Sequence, residues 1–223
     1  SSDLIAGTGT IALNDAYDAE LRLRFFETSI DPYMKFFAPE VSPYTRIIAS
    51  GTLHVAGPLS DPTRLLVETT IETASVTLLD YELTNDGPVE LRFANNAFST
   101  DRLRLRGVET TLDVTGGFDV GRQSVDIAAN GQANLALLQL FFIDVRSDGG
   151  ARVDARLRGS FDAMALSGEA RIDNGSIRHF ALPHSLTAIN GPIRFDAAGV
   201  DVSGLRGRMG NGEVTFGGRI TMR

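Results

Sequence analysis

The sequence predicts an all-β protein made of two tandem copies of one β unit. Three observations predict it. Apolar and polar residues alternate with period two along almost the whole chain. Turn-forming clusters interrupt that alternation about every ten residues. The same order of elements recurs at an offset of 101 to 105 residues.

The strands follow in chain order. Leu21, Leu23 and Phe25 alternate with Arg22 and Arg24; Leu53 and Val55 with Thr52 and His54; Leu65, Val67, Thr69 and Ile71 with Glu68, Thr70 and Glu72. Val89, Leu91 and Phe93 enclose Glu90 and Arg92, and Leu103 and Leu105 sit among Arg102, Arg104 and Arg106. Leu112 and Val114 follow, then Val125 and Ile127. The second half repeats the pattern with Val153, Ala155 and Leu157, Ile193 and Phe195, Val200 and Val202, and Val214 and Phe216. Such strands have one dry face and one wet face. Gly57-Pro58, Asp61-Pro62, Asn85-Asp86-Gly87-Pro88, Asn95-Asn96, Asp148-Gly149-Gly150, Asp173-Asn174-Gly175, Asn190-Gly191-Pro192 and Gly210-Asn211-Gly212 read as turns. Two segments break the alternation and read as short helices. Ser29 to Ala38 has a Ser cap, early Asp and Pro, and apolar Ile30, Tyr33, Met34 and Phe37; Gln132 to Phe142 carries Leu135, Leu138 and Phe142.

These two segments anchor the repeat. Ile71–Val76 matches Ile172–Ile177, Gly87-Pro88-Val89 matches Gly191-Pro192-Ile193, Leu103–Arg106 matches Leu205–Arg208, and Leu112–Gly116 matches Val214–Gly218. The predicted units are 1–116 and 117–223, joined at Gly116-Gly117 by a turn rather than a linker, so that their sheets stack and share one apolar face.

The 223 residues carry a net charge of −7 and a pI near 5.0, which argues against a nucleic-acid partner. The chain has no Cys, hence no disulfide scaffold and no thiolate metal site. No apolar run approaches the length that spans a bilayer, and the Ser-Ser-Asp-Leu start reads as a cut from a longer protein.

Three phrases carry a resemblance: Ala49 to Pro62 (ASGTLHVAGPLSDP), Ser167 to Ile177 (SGEARIDNGSI) and Asn190 to Phe195 (NGPIRF). In this order, and at a fixed repeat, they resemble the TamB and AsmA-like proteins of Gram-negative envelopes. The resemblance implies a β-taco, a long curved antiparallel-type sheet folded lengthwise around an apolar groove. It implies a periplasmic segment of a longer, inner-membrane-anchored protein whose other parts meet inner- and outer-membrane partners. The implied cargo is phospholipid acyl chains, moved to the outer membrane without chemistry or cofactor. For TamB, a role in assembling outer-membrane proteins adds a β-barrel protein as a further partner. About fourteen strands at roughly 4.8 Å each would make a trough on the order of 65 Å.

The candidate groove residues are Leu53, Val55, Leu65, Val67, Ile71, Val89, Leu91, Phe93, Leu103, Leu105, Leu112, Val114, Val153, Leu157, Ile172, Ile193, Phe195, Val200, Val202, Val214 and Phe216. Alternation alone would equally describe a sandwich core filled by its own side chains. The helical segments, with Phe36, Phe37, Leu140, Phe141 and Phe142, would either cap the apolar face or gate it. His179 and His184 have a spacing that suits neither a helix face nor a strand face, and His54 alternates outward; all three read as structural or solvated. Asp61 and Asp162 fall in turns and Asp113, Asp126 and Asp154 alternate outward, with no pair that suggests acid–base work. No nucleophile elbow, P-loop or dinucleotide fingerprint occurs, so no enzyme activity is expected. Arg102, Arg104 and Arg106, and Arg152, Arg156 and Arg158, read as a soluble outer face paired with carboxylates on neighbouring strands, ahead of phosphate contacts at a groove rim. Two rivals to a lipid conduit are a scaffold that recruits client strands at an open edge and an adhesin or polysaccharide-acting protein; the absence of Trp and the four Tyr weigh against sugar binding.

Overall fold

Long alternating segments joined by tight turns pair with whatever strand comes next in the chain, and that rule builds almost the entire molecule. The computed structural model describes residues 4–30, 45–140, 144–179 and 184–221. Its strands are β1 Leu4–Ile11, β2 Asp18–Ser29, β3 Thr45–Pro58, β4 Leu66–Leu78, β5 Tyr81–Asn85, β6 Val89–Ala94, β7 Ala97–Gly107, β8 Thr110–Asp119, β9 Ser124–Asn134, β10 Val145–Ser160, β11 Ala163–His179, β12 Leu186–Asp196, β13 Gly199–Asp201, β14 Arg206–Met209, β15 Gly212–Thr215 and β16 Arg219–Ile220. All sixteen lie in one antiparallel sheet. β5 and β6 together form one interrupted strand between β4 and β7, and β13 and β14 form another beside β12.

The second expected helix is not an α-helix. From the second segment, Gln132 to Asn134 close β9, and Leu135–Leu140 form a 3-10 turn (η2). Polar side chains tie η2 to the neighbouring strands. Asn134 Oδ1 accepts from the Ala136 N–H at 2.8 Å, and the Ser147 hydroxyl donates to the Leu135 carbonyl at 2.7 Å. Ser29 closes β2, and residues 31–44 lie outside the described residues, as do Phe141 and Phe142. The other short turn, η1 Pro62–Arg64, is capped by Asp61, whose carboxylate accepts from the Thr63 N–H.

Several expected turns are bulges inside strands. Asp148-Gly149-Gly150 lies within β10, Asp173-Asn174-Gly175 within β11 and Asn190-Gly191-Pro192 within β12. Gly149, Asn174 and Gly191 have φ of 103°, 50° and 132°, so the residue types that favour turns also suit a bulge, and the strand continues through them. Gly116 and Gly117 likewise lie inside β8; the turn falls at residues 120–123, and the boundary drawn at 116/117 cuts a strand. Asn95-Asn96 is a genuine two-residue hairpin loop, with φ of 52° and 62°.

The bulges line up across neighbouring strands. One row passes through Phe25/Thr28 of β2, Ser50/Gly51 of β3 and Thr100/Leu103 of β7; a second passes through Asp148/Gly150 of β10 and Ile172/Gly175 of β11. Two asparagines bind these irregular stretches. Asn85 Oδ1 accepts from the Ala74 N–H at 2.6 Å while its Nδ2 donates to the Glu72 and Gly87 carbonyls. Asn190 Oδ1 accepts from the Asn174 N–H at 2.9 Å while its Nδ2 donates to the Ala188 carbonyl. Each bulge bends its strand and adds twist.

η2 shows how far the sheet curls at one end. Leu135 and Leu138 pack with Ala151, Ile172, Ile189 and Leu205, whereas Ala136 and Leu137 pack with Val76, Tyr81 and Leu83. On a flat sheet β4 and β11 would stand roughly 29 Å apart, at about 4.8 Å per strand. Consecutive residues of one turn could not touch both, so the sheet wraps around η2.

Candidate functional site: the apolar face

The register decides which side chains share a face. Leu21, Val55, Val67, Phe93, Phe98, Phe118 and Val125 form one row across consecutive strands; Leu23, Leu53, Thr69, Leu91 and Thr100 begin the next. Ile71 pairs with Val89, Leu103 with Val114, Leu105 with Leu112, and Phe195 with Val200. Val153 opposes Ala170, which opposes Ile193; Leu157 opposes Leu166; Ala151 opposes Ile172. Seventeen of the candidate groove residues therefore line one continuous face from β3 to β13. The other four lie near its ends. Leu65 precedes β4 as the C-cap of η1, Val202 and Phe216 pack onto the cluster around Ile172, and Val214 on β15 opposes Gly207.

Residues that alternation did not single out complete the face. Phe98 and Phe118 stack with ring centroids 5.2 Å apart. Ile177, Leu186 and Ile189 join the packed end. Ile177 follows a bulge, where a period-two count from the preceding residues loses its phase, and Leu186 and Ile189 flank another. Between the larger side chains, Gly116, Ala129, Ala155 and Gly168 form a floor of small residues across β8 to β11.

This face is only partly covered. No large side chain among the described residues is fully buried, and most of the face is half-buried. The accessible surface is 14104 Å², against roughly 9,900 Å² for a compact monomer of this mass. Among the described residues the sheet forms one curled layer with no second sheet packed on it.

The opposite face is charged and internally paired. Asp113 accepts from Arg102 and Arg104, Asp86 from Arg106, and Asp126 from Arg156 in a bidentate pair at 2.7 Å with Arg158 nearby. The Arg102 and Arg104 guanidiniums hold the Asp113 carboxyl below its ordinary range, and Arg156 does the same for Asp126. His54, on the same face, sits between Glu20 (2.7 Å) and Glu68 (3.4 Å). Its hydrogen bond to Glu20, then that to Glu68, raises its pKa above the ordinary value. Arg152 makes no ion pair among the described residues. His184 is exposed and His179 ends β11; no three His, Asp or Glu side chains gather as a metal would require among the described residues.

A polar chain closes the end where η2 sits. The Tyr81 hydroxyl donates to the Val108 carbonyl at 2.8 Å and lies 2.5 Å from Thr110 Oγ1, which also accepts from the Asn134 N–H; Asn134 Nδ2 donates to Asp148. Burial raises the Tyr81 pKa. No helix of the described residues is long and apolar enough to cross a membrane, which says nothing about strands. No protein-family model matches the chain, and neither a curated protein nor a solved structure matches it significantly.

Proposed function

We propose that this chain is a lipid-holding segment that keeps phospholipid acyl chains against its apolar face. The observation that carries the reading is the register-continuous apolar face, half-exposed and without an opposing layer. A sandwich core would have buried it against a second sheet. Bent along its rows of bulges, the sheet acquires the lengthwise fold of a β-taco. Each methylene removed from water contributes about 0.8 kcal/mol, so a two-chain lipid is held without specific polar contacts. A uniformly apolar lining lets it slide, because each step exchanges like for like.

The tandem repeat gains support from matching details. In both halves two long consecutive strands (β3 and β4; β10 and β11) are followed by a strand whose asparagine, Asn85 or Asn190, accepts from the backbone of the second long strand. The TamB and AsmA-like resemblance then proposes the setting: a periplasmic conduit between inner and outer membrane, carried by a longer anchored protein.

A second reading has its own observation. Among the described residues β1 pairs only with β2; it is exposed along its length and carries no charge or proline, so it offers an edge to an incoming strand. A scaffold for outer-membrane proteins would use that edge.

The test is native mass spectrometry with lipid extraction, combined with a photo-crosslinker at Leu91 or at Arg92. These neighbours on β6 point to opposite faces; Leu91 opposes Thr69, whereas Arg92 opposes Glu68. Phospholipid crosslinked from Leu91 and not from Arg92 is the expected result. Lipid-free protein with no crosslink at either position would remove the conduit reading and leave the edge-strand reading.

A further inference from the structure

At the closed end of the sheet, two arginines stand side by side with no ion pair among the described residues. Arg146 of β10 and Arg178 of β11 are direct cross-strand partners, which places their Cα atoms about 5 Å apart. Both are exposed, and neither makes an ion pair among the described residues. Like charges opposed in this way are destabilising. Arg152 and Arg171 oppose each other on the same two strands, also without an ion pair among the described residues; what distinguishes Arg146 is that a buried side chain anchors it.

Arg146 is also held in place. Its Nη1 donates to Gln139 Oε1 at 2.9 Å, and Gln139 is a buried side chain whose Nε2 donates back to the Ser147 carbonyl. A buried amide thus fixes an exposed guanidinium, leaving most of its five donors unused. The pair borders a cleft of about 870 Å³ that also takes in Ser176, Ser185 and Thr187. Ile177 and Ala136 line the same cleft and belong to the apolar side. Asp80 and Asp148 are its carboxylates, and Asp148 accepts from Asn134 Nδ2.

We propose that this cleft binds a phosphate ester, with Arg146 and Arg178 as its ligands and the nearby hydroxyls as further donors. A carboxylate brings two oxygens and one charge to such a pair, as Asp113 does to Arg102 and Arg104. A phosphate monoester carries close to two charges and three terminal oxygens, enough for two guanidinium forks side by side. The ester is either a small soluble phosphate or the headgroup of a lipid whose chains run along the apolar face. The lipid form rests on the reading above; the anion site itself does not.

Two assays test it on the whole chain. Calorimetric titration with inorganic phosphate and with glycerol 3-phosphate reads the soluble source. Flotation with vesicles of phosphatidic acid, against phosphatidylcholine alone, reads the lipid source. The variants are Arg146→Gln and Arg178→Gln, with exposed Arg194→Gln as a surface-arginine control and circular dichroism as the check on folding. The expected result is saturable binding in at least one assay, weakened about tenfold to a hundredfold by either cleft variant and unchanged by Arg194→Gln. No binding in either assay, or equal weakening by all three variants, overturns the site. Lipid captured at Leu91 equally by wild type and cleft variants, with no phosphate dependence, would sink this site and leave the conduit standing. Arg178-dependent binding of soluble phosphate with no lipid at Leu91 would do the reverse.

Discussion

Asn85 and Asn190 illustrate how single side chains can set the shape of a sheet. Each carboxamide accepts from a backbone N–H that a bulge has freed on the neighbouring long strand. Asn85→Ala is expected to cost about 1–3 kcal/mol, because a partly buried N–H loses its acceptor; urea denaturation measures it, with exposed Asn130→Ala as the comparison near zero. His54 gives a pH signature. Its folded pKa is raised by Glu20 and Glu68, so its contribution is full below the ordinary imidazole value and is lost as pH rises through the higher folded value. Glu20, Asp113 and Asp126 are shifted downward, so their contributions are present above the ordinary carboxylate range and vanish as pH falls through the lowered values. Stability should therefore peak between the two ranges, and His54→Gln should remove the decline on its alkaline side. Thermal melts across pH on both proteins would show this, and an unchanged alkaline limb would contradict it.

At the scale of elements, η2 is the part most worth perturbing. Leu135 is buried in the cluster with Ile172 and Ile189, and Leu135→Ala should cost about 2–4 kcal/mol by leaving a cavity between turn and sheet. Gly117 tests the interior of β8, because an added Cβ would meet the Phe98 carbonyl oxygen on the adjacent strand. Gly117→Ala should be clearly destabilising in the same assay, where a turn position would have tolerated it. These elements also mark how far the sequence was legible. Period-two alternation placed Leu53, Leu91, Leu157 and Phe195 on one face correctly, because pleating ties side-chain direction to chain position. The bulges were not legible, because Gly and Asn at positive φ look the same in a turn and in a bulge. Nor was the 3-10 turn. Leu135–Leu140 has helical apolar spacing, but the side chains of Asn134, just before it, and of Ser147, on β10, tie it down. Whether the apolar face stays open was equally beyond alternation, which describes a filled core and an open trough in the same letters.

For the whole molecule, almost every strand pairs with its neighbours in sequence, and packed clusters sit at one end only. Hydrogen exchange should therefore be graded rather than uniform, with β10 to β12 and the strands under η2 most protected and β1 least. Uniform protection through β1 would contradict that expectation. The uncovered face also has a calorimetric consequence. Heat capacity rises on unfolding because apolar surface becomes wet, at about 12–15 cal/mol/K per residue in ordinary proteins. Here a large share of that surface is wet before unfolding begins. The native protein should therefore show a heat-capacity increment below the ordinary per-residue value and a flat stability curve, nearly indifferent to cooling. On the proposed function, acyl chains covering this face would restore the missing increment, so a scanning calorimeter could report occupancy without any label.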